Sequence, residues 1–389
     1  MKRAFVVKSS KEKTKVRVPY DTLENKNFNH MKLLSLFAAL LLSVSVVSAK
    51  GDKEDFTIVK EVKHTPVISQ GRTGTCWSFA TTSFLESEIM RKGFPETNLS
   101  EMFFVYYNYK NKAFQYLLYH GKNNFGEGSL SHDVLKVVAD EGVMLYDEFP
   151  GIQKDGKYNH SALVKELRDE TDKIDKEKRG KIDVSDLKGF KSALKNELGK
   201  LPAKVELEGK KYSAAELRDK FEINPDDYVE LTSFSHHPFW KQCVVEVPDN
   251  WAHASYYNLP LDDLLDVMYN ALNNGFSIAW DGDTSEKTFV HKEGKADVPK
   301  KLQGKVDQEV RQETFYDRTT TDDHLMHLVG LSKDAEGKNY FYTKNSWGGE
   351  SNDYGGYLHM TEDYVRLKTI GIMVHKDAIP EAIKSKLGI

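Results

Sequence analysis

The sequence predicts an α+β fold, and three observations carry that reading. From Pro66 to about Pro150 the chain is aromatic-rich and reads as helical. From about residue 275 onward it favours strands. Between them, residues 161–220 carry 29 charged side chains in 60 positions and helical signals, which reads as a charged helical insertion at about 155–240. Its charges are most simply a solvated face. The chain of 389 residues is 39% hydrophobic and 29% charged, as a globular protein is. No internal repeat and no low-complexity tract is visible.

The first 49 residues stand apart. They hold nine Lys/Arg and three Asp/Glu, which leaves 46 positive and 56 negative charges in the body. That acidic balance argues against nucleic acid as the main partner. Met31-Lys32, the uncharged run 33–49 and the exit Val47-Ser48-Ala49 read as a secretory signal peptide cleaved after Ala49. Met31 then reads as the initiator. The expected location is secreted or periplasmic, with no stable membrane insertion after cleavage. Residues 50–389 are expected to form the working domain, opening on a short charged lead-in.

The segment Gln70-Gly-Arg-Thr-Gly-Thr-Cys76-Trp77-Ser-Phe-Ala places a two-glycine loop before a helical run over 76–92. Trp77, Ala80, Phe84 and Leu85 mark its buried face, Arg91-Lys92 suit its last turn, and Gly93 and Pro95 end it. Cys76 therefore falls at a helix N-terminus, where unpaired N–H groups favour a thiolate nucleophile. Gln70 and the Cys76 N–H are placed to meet the oxygen that turns negative when a thiolate attacks a carbonyl. The aromatic run Phe103–Tyr107 reads as core packing.

In the charged middle, Ser185 precedes Leu187, Phe190, Leu194 and Leu198 at one-face spacing, with Gly199 as a stop. Ser213-Ala-Ala-Glu216 is a capping box. Asp175–Asp186 imitates a calcium loop, but Arg179 occupies a ligand position and argues against it. His236, His237, Cys243 and His253 lack ligand spacing, so neither a metal nor any other cofactor is expected.

Strands are predicted at FSIAW (276–280), LMHLVGL (325–331) and NYFYTKNSW (339–347). Ser332–Lys338 has turn composition, so the last two form a hairpin. That hairpin brings Asn345 within a residue or two of His324. The Asn345 oxygen would fix the imidazole tautomer and aim the other ring nitrogen at sulfur. His324 and His327 point to opposite faces of a strand, so one of them faces Cys76.

Gln-x5-Cys-Trp-Ser-Phe-Ala, Asp-His-x5-Gly and Lys-Asn-Ser-Trp-Gly, in that order, resemble the papain-like cysteine peptidases. Asn98-Leu-Ser-Glu101 and the turn Gly126-Glu-Gly128-Ser129 are also similar to that family. Tyr257-Asn258-Leu-Pro260, Leu264–Trp280 and Val374-His-Lys-Asp-Ala-Ile-Pro380 resemble its bleomycin hydrolase and aminopeptidase C branch. The resemblance implies a papain-like fold, helical on the left and antiparallel and strand-rich on the right. It implies Cys76 as nucleophile, His324 rather than His327 as base, Asn345 as its partner, and Gln70 at the oxyanion. Trp347 would shield the His–Asn bond, and Gly128 and Ser129 would meet the substrate backbone. A homo-oligomer is allowed by analogy with that branch.

The branch typically ends in an arm whose terminal carboxylate holds the substrate amine. Here the sequence stops at Leu387-Gly-Ile389, which leaves aminopeptidase and endopeptidase action both open. The expected function is hydrolysis of peptide or protein substrates through a Cys76 thioester. The alternatives are amide hydrolysis or acyl transfer on a non-peptide substrate, or peptide binding without turnover. Cys243 is expected to be a free thiol, with no disulfide to Cys76.

Overall fold

A computed structural model describes residues 55–177 and 188–389 of the chain. The signal-like segment lies outside the described residues, as do Ser185, Leu187 and most of Asp175–Asp186.

The chain enters on strand β1 (Thr57–Glu61) and then builds a helical layer from α1 (Cys76–Arg91), α2 (Glu101–Leu118) and α3 (Ser131–Asp140). Every residue of α1 from Cys76 to Ile89 is buried, not just the predicted face. The cause is position: α1 contacts α2 and α3 on one side and the sheet on the other. Ser100 caps α2, accepting a hydrogen bond from the Phe103 N–H at 3.0 Å. Phe103, Phe104 and Val105 are core residues.

The charged middle is helical only in part. It contains α4 (Ser161–Lys176), α5 (Lys188–Leu198), a hairpin of β2 (Val205–Leu207) and β3 (Lys210–Tyr212), and α6 (Ala214–Lys220). Phe190, Leu194 and Leu198 of α5 are buried, and Gly199 follows with φ +99°. Ser213 and Glu216 make both bonds of the capping box. The end of the predicted insertion, β4 (Tyr228–Thr232), belongs to the main sheet. Its five residues lack the turn-bounded apolar run that marks the later strands, so charge density hid it.

Next come β5 (Lys241–Val244), β6 (Ser255–Asn258), α7 (Leu261–Asn273), β7 (Ile278–Gly282), β8 (Phe289–Val290), β9 (Lys295–Ala296) and α8 (Gln308–Tyr316). The chain finishes through β10 (His324–Lys333), β11 (Asn339–Lys344), β12 (Tyr357–Thr361), α9 (Glu362–Lys368), β13 (Thr369–His375) and α10 (Glu381–Leu387). Among the described residues one eleven-stranded sheet runs β5-β6-β4-β13-β7-β10-β11-β12-β9-β8, with β1 paired to β10. It is mostly antiparallel; β4–β6 and β9–β12 are parallel.

Side-chain alternation divides the interior into two cores. Ala279, Leu325, Ile370 and Met373 pack with the helical layer. Trp280, Met326, Ile372 and Val374 pack on the other face of the sheet with α7. The seam between α1 and strands β7 and β10 therefore joins the two halves, and Cys76 lies on it.

Candidate active site

Cys76 opens α1 as its first residue and is 8% exposed. Its sulfur accepts a hydrogen bond from the Leu325 backbone, one residue past His324. That bond fixes the first turn of α1 at the start of β10. The register explains which histidine is level with the sulfur. His327 sits further along β10 and meets Ser83, two turns down α1, at 2.8 Å. His324 is the first residue of β10 and directly precedes Leu325, the residue that meets Cys76. Opposite faces alone do not choose between them, because His327 also touches α1. Position along the strand does.

The β10–β11 ladder begins at His327↔Lys344, and Asn345 follows directly. Its side-chain oxygen lies 2.8 Å from His324 Nε2. Nε2 therefore carries the proton, which leaves Nδ1 as the ring's acceptor. The Asn345 oxygen also accepts from the Ser346 N–H at 2.7 Å, so the acceptor is held. Trp347 lies over the pair: its ring centroid is 5.0 Å from that of His324. It is 37% exposed and presents its outer side to solvent.

Gln70 is buried and braced from three sides. Its backbone N–H donates to Ser346 O, its Oε1 accepts from Ser346 Oγ at 2.6 Å, and its Nε2 donates to Thr73 O at 2.7 Å. The second Nε2 hydrogen meets no acceptor among the described residues. The Ser78 and Phe79 N–H groups turn back onto Thr75 O, at 2.9 and 3.3 Å, which leaves the N–H groups of Cys76 and Trp77 as the donors without a backbone acceptor among the described residues.

Electrostatics favour a neutral resting pair. Burial pushes the Cys76 thiol up to about 12, and the Asp322, Asp249 and Asp281 carboxylates add to it against the Leu325 bond. Burial takes His324 down to about 4, against the Asn345 bond. Burial thus works against the thiolate that a helix N-terminus favours.

The Gly126–Gly128 turn is tied to the cysteine loop. Trp77 Nε1 donates to Glu127 O at 2.9 Å, and the Gly74 N–H donates to Glu127 Oε2 at 2.6 Å. Gly128 is partly exposed, but a Cβ there would lie 1.8 Å from Asp249 Oδ2. Ser129 corrects the sequence reading. It is 1% exposed, and its Oγ bonds Asn108 Nδ2 at 2.6 Å and Trp251 Nε1 at 2.9 Å. Those inward partners take it out of the cleft and leave Gly126–Gly128 as the reachable backbone.

Several neighbours escaped the sequence reading. His291, from the loop after β8, lies 3.3 Å from Asn345 Nδ2 and against Trp347. No local signal marks it. Asp281 directly follows the predicted strand FSIAW, and Asp322 stands two residues before His324; both act electrostatically on Cys76. A carboxylate following an apolar strand was the available cue. Cys243 lies on β5, and both cysteines are free. His236, His237 and Glu246 come together with ligand atoms within 4.8 Å of one another and are the group best placed to hold a cation. Both rings already bond the Glu246 carboxylate, at 3.0 and 2.8 Å.

The profile of the papain family cysteine proteases matches residues 52–216, and that of the Peptidase C1-like family matches residues 204–388. Cysteine proteinase 1, mitochondrial, of Saccharomyces cerevisiae is 22% identical over 390 residues, covering 87% of this chain and 80% of that protein. Aminopeptidase G of Lactobacillus delbrueckii subsp. lactis is 27% identical over 164 residues, 40% of this chain. The match spans just 37% of Aminopeptidase G. The crystal structure of PepW from Lactobacillus rhamnosis HN001 has the same fold, with a TM-score of 0.69 at 18% identity over 85% of this chain and 84% of that one. Two adjoining profile matches, which together run from residue 52 to residue 388, place the protein among the papain-like cysteine peptidases, and the relatives it is similar to point to the bleomycin hydrolase and aminopeptidase C branch.

Proposed function

We propose that the protein hydrolyses peptide bonds through a thioester on Cys76, with His324 moving the proton. The observation that carries this reading is the 2.8 Å contact of His324 Nε2 with Asn345, at the strand start whose next N–H binds the Cys76 sulfur. Nδ1 of His324 takes the thiol proton as sulfur attacks the carbonyl carbon. It then gives that proton to the leaving amine. Water enters, loses its proton to the same nitrogen, and frees the acid with return of the thiol. Gln70 Nε2 and the Cys76 N–H stabilise both oxyanions. Trp347 keeps water from the His324–Asn345 bond, which strengthens it.

Export is part of the same proposal and rests on the uncharged run 33–49. Mass spectrometry of the purified native protein should place its N-terminus just after Ala49; an intact Met1 overturns export. The enzymatic reading is tested by comparing wild type with Cys76→Ala on a set of fluorogenic peptide amides in reducing buffer. Loss of all turnover in the variant is the expected result. Equal, background-level rates in both would favour peptide capture without chemistry. Diversion of the acyl group to an added amine would favour acyl transfer.

A further inference from the structure

The side chain that orients His324 is itself held from behind. Asn345 Nδ2 lies 3.3 Å from Nδ1 of His291, and His291 Nε2 lies 2.8 Å from Ser351 Oγ. Two backbone groups fix the sense of every bond in this row. At one end the Ser346 N–H donates to Asn345 Oδ1 at 2.7 Å, and only the oxygen of an amide can accept it. That turns Nδ2 toward His291 as a donor. At the other end the Ser351 hydroxyl gives its one hydrogen to Gly348 O at 2.5 Å, so Ser351 Oγ accepts from His291 Nε2. Both ends leave His291 with hydrogen on Nε2 and a lone pair on Nδ1. From donor to acceptor the row runs from His324 to Asn345, from Asn345 to His291, and from His291 to Ser351.

His291 is built into this position. It opens the short turn His291–Glu293 between β8 and β9. Asn352 Nδ2 donates to the His291 carbonyl at 2.9 Å and to Tyr357 O at 2.8 Å, which ties that turn to the loop after Asn345. The Trp347 ring packs against both histidines, with its centroid 4.6 Å from that of His291 and 5.0 Å from that of His324. Burial lowers the His291 pKa from its ordinary value, so the ring is neutral at neutral pH and Nδ1 can accept. The bond matters because an amide turned over exchanges oxygen and nitrogen with almost no change of shape. Turned over, Asn345 would present N–H to His324 Nε2, and the imidazole would have to carry its hydrogen on Nδ1. The Ser346 N–H and His291 Nδ1 oppose that turn from the two ends of the amide.

We propose that His291 is a positioning residue that acts through Asn345: its Nδ1 holds the amide in the sense that keeps hydrogen on Nε2 of His324 and leaves Nδ1 of His324 free. The proposal rests on the peptidase reading above, in that Nδ1 of His324 is the nitrogen that takes the thiol proton there. The tautomer itself is measurable without turnover.

The test reads that tautomer by NMR of the ring nitrogens at neutral pH, which separates a protonated nitrogen from a bare one. The His324 signals are identified by their absence in His324→Ala. Wild type should carry hydrogen on Nε2. His291→Phe keeps a ring against Trp347 and loses the acceptor. It should populate the Nδ1–H form of His324 and lower kcat by roughly 3- to 10-fold, the scale of one neutral hydrogen bond, with KM little changed. His291→Asn puts an oxygen close to where Nδ1 stood and should restore both readouts. Melting temperatures check folding. Should His291→Phe not fold, Ser351→Ala decides: it releases His291 Nε2 and should move the His324 tautomer in the same direction. Hydrogen on Nδ1 of His324 in wild type, or a tautomer unchanged on removal of the acceptor, overturns the positioning role whatever the rates do. So does a shift that His291→Asn fails to reverse, which would assign ring packing instead of the acceptor. A tautomer shift in a protein without turnover removes the peptidase reading and leaves the role of His291 standing.

Discussion

His324 and Asn345 are joined at 2.8 Å although 21 residues separate them, and the hairpin between them is what makes the contact. The bond decides which ring nitrogen carries hydrogen. Without it the ring can rotate or take the other tautomer, and Nδ1 is no longer held as the acceptor that the proposed mechanism needs. Asn345→Ala should therefore lower kcat by roughly 10- to 100-fold, the loss of one orienting hydrogen bond in a buried site. KM should move much less, since Asn345 is 2% exposed and behind Trp347. Steady-state kinetics on one peptide amide checks the split. A change confined to KM would mean that Asn345 contacts substrate instead of positioning His324.

The two titrating groups make a second relationship testable. Alone, the buried thiol sits at about 12 and the imidazole at about 4. On the proposed mechanism the thiolate forms at neutral pH by proton transfer to His324. In His324→Ala that acceptor is gone, and alkylation of Cys76 by iodoacetamide should climb about tenfold per pH unit up to pH 9 and beyond. Wild type should react faster at pH 7 and depend less on pH. Cys243, pushed up to about 11 by burial, is the background and is removed with Cys243→Ser. Identical pH profiles for wild type and His324→Ala would sink the coupling of the two residues.

Much of this site was legible because its chemistry is carried by local sequence. Cys76 could be placed at a helix start from two glycines, an amphipathic run and a Gly/Pro stop. Asn345 could be placed near His324 because a short turn fixes hairpin register. What escaped depends on long-range packing. Ser129 looks like part of an exposed turn, yet Asn108 and Trp251, both distant in sequence, draw its hydroxyl inward. The burial of α1 on all sides could not be read from its own pattern, because half of the cover comes from strands more than 200 residues later. The same distance hides the balance at Cys76: a helix terminus is visible locally, but the desolvation that outweighs it is not.

Behind the site a second buried polar group should control stability. Lys344, next to Asn345, donates to Thr65 Oγ1 at 2.9 Å and Ser83 Oγ at 2.7 Å. Glu86 takes the Thr65 hydroxyl at 2.5 Å and the Leu99 N–H at 2.8 Å. Glu101 shares that charge environment, but its Oε2 has no hydrogen-bond partner among the described residues. Burial, then the Glu86 carboxylate, pushes Glu101 up to about 8. A carboxyl held above its unfolded value of 4.5 keeps its proton in the native state after the unfolded chain has lost it. Its contribution is thus fully present below pH 4.5 and is lost as pH rises through about 8. Glu101→Gln cannot ionise and escapes that loss. The variant should melt close to wild type at pH 5 and above it at pH 8.5. The gain at pH 8.5 should be about 2 kcal/mol, at the low end for such a shift because Glu86 and Lys344 share the charge. Thermal melts at the two pH values check the sign. A variant less stable at pH 8.5 than at pH 5, relative to wild type, would mean that Glu101 is ionised and serves Lys344 as its counter-charge.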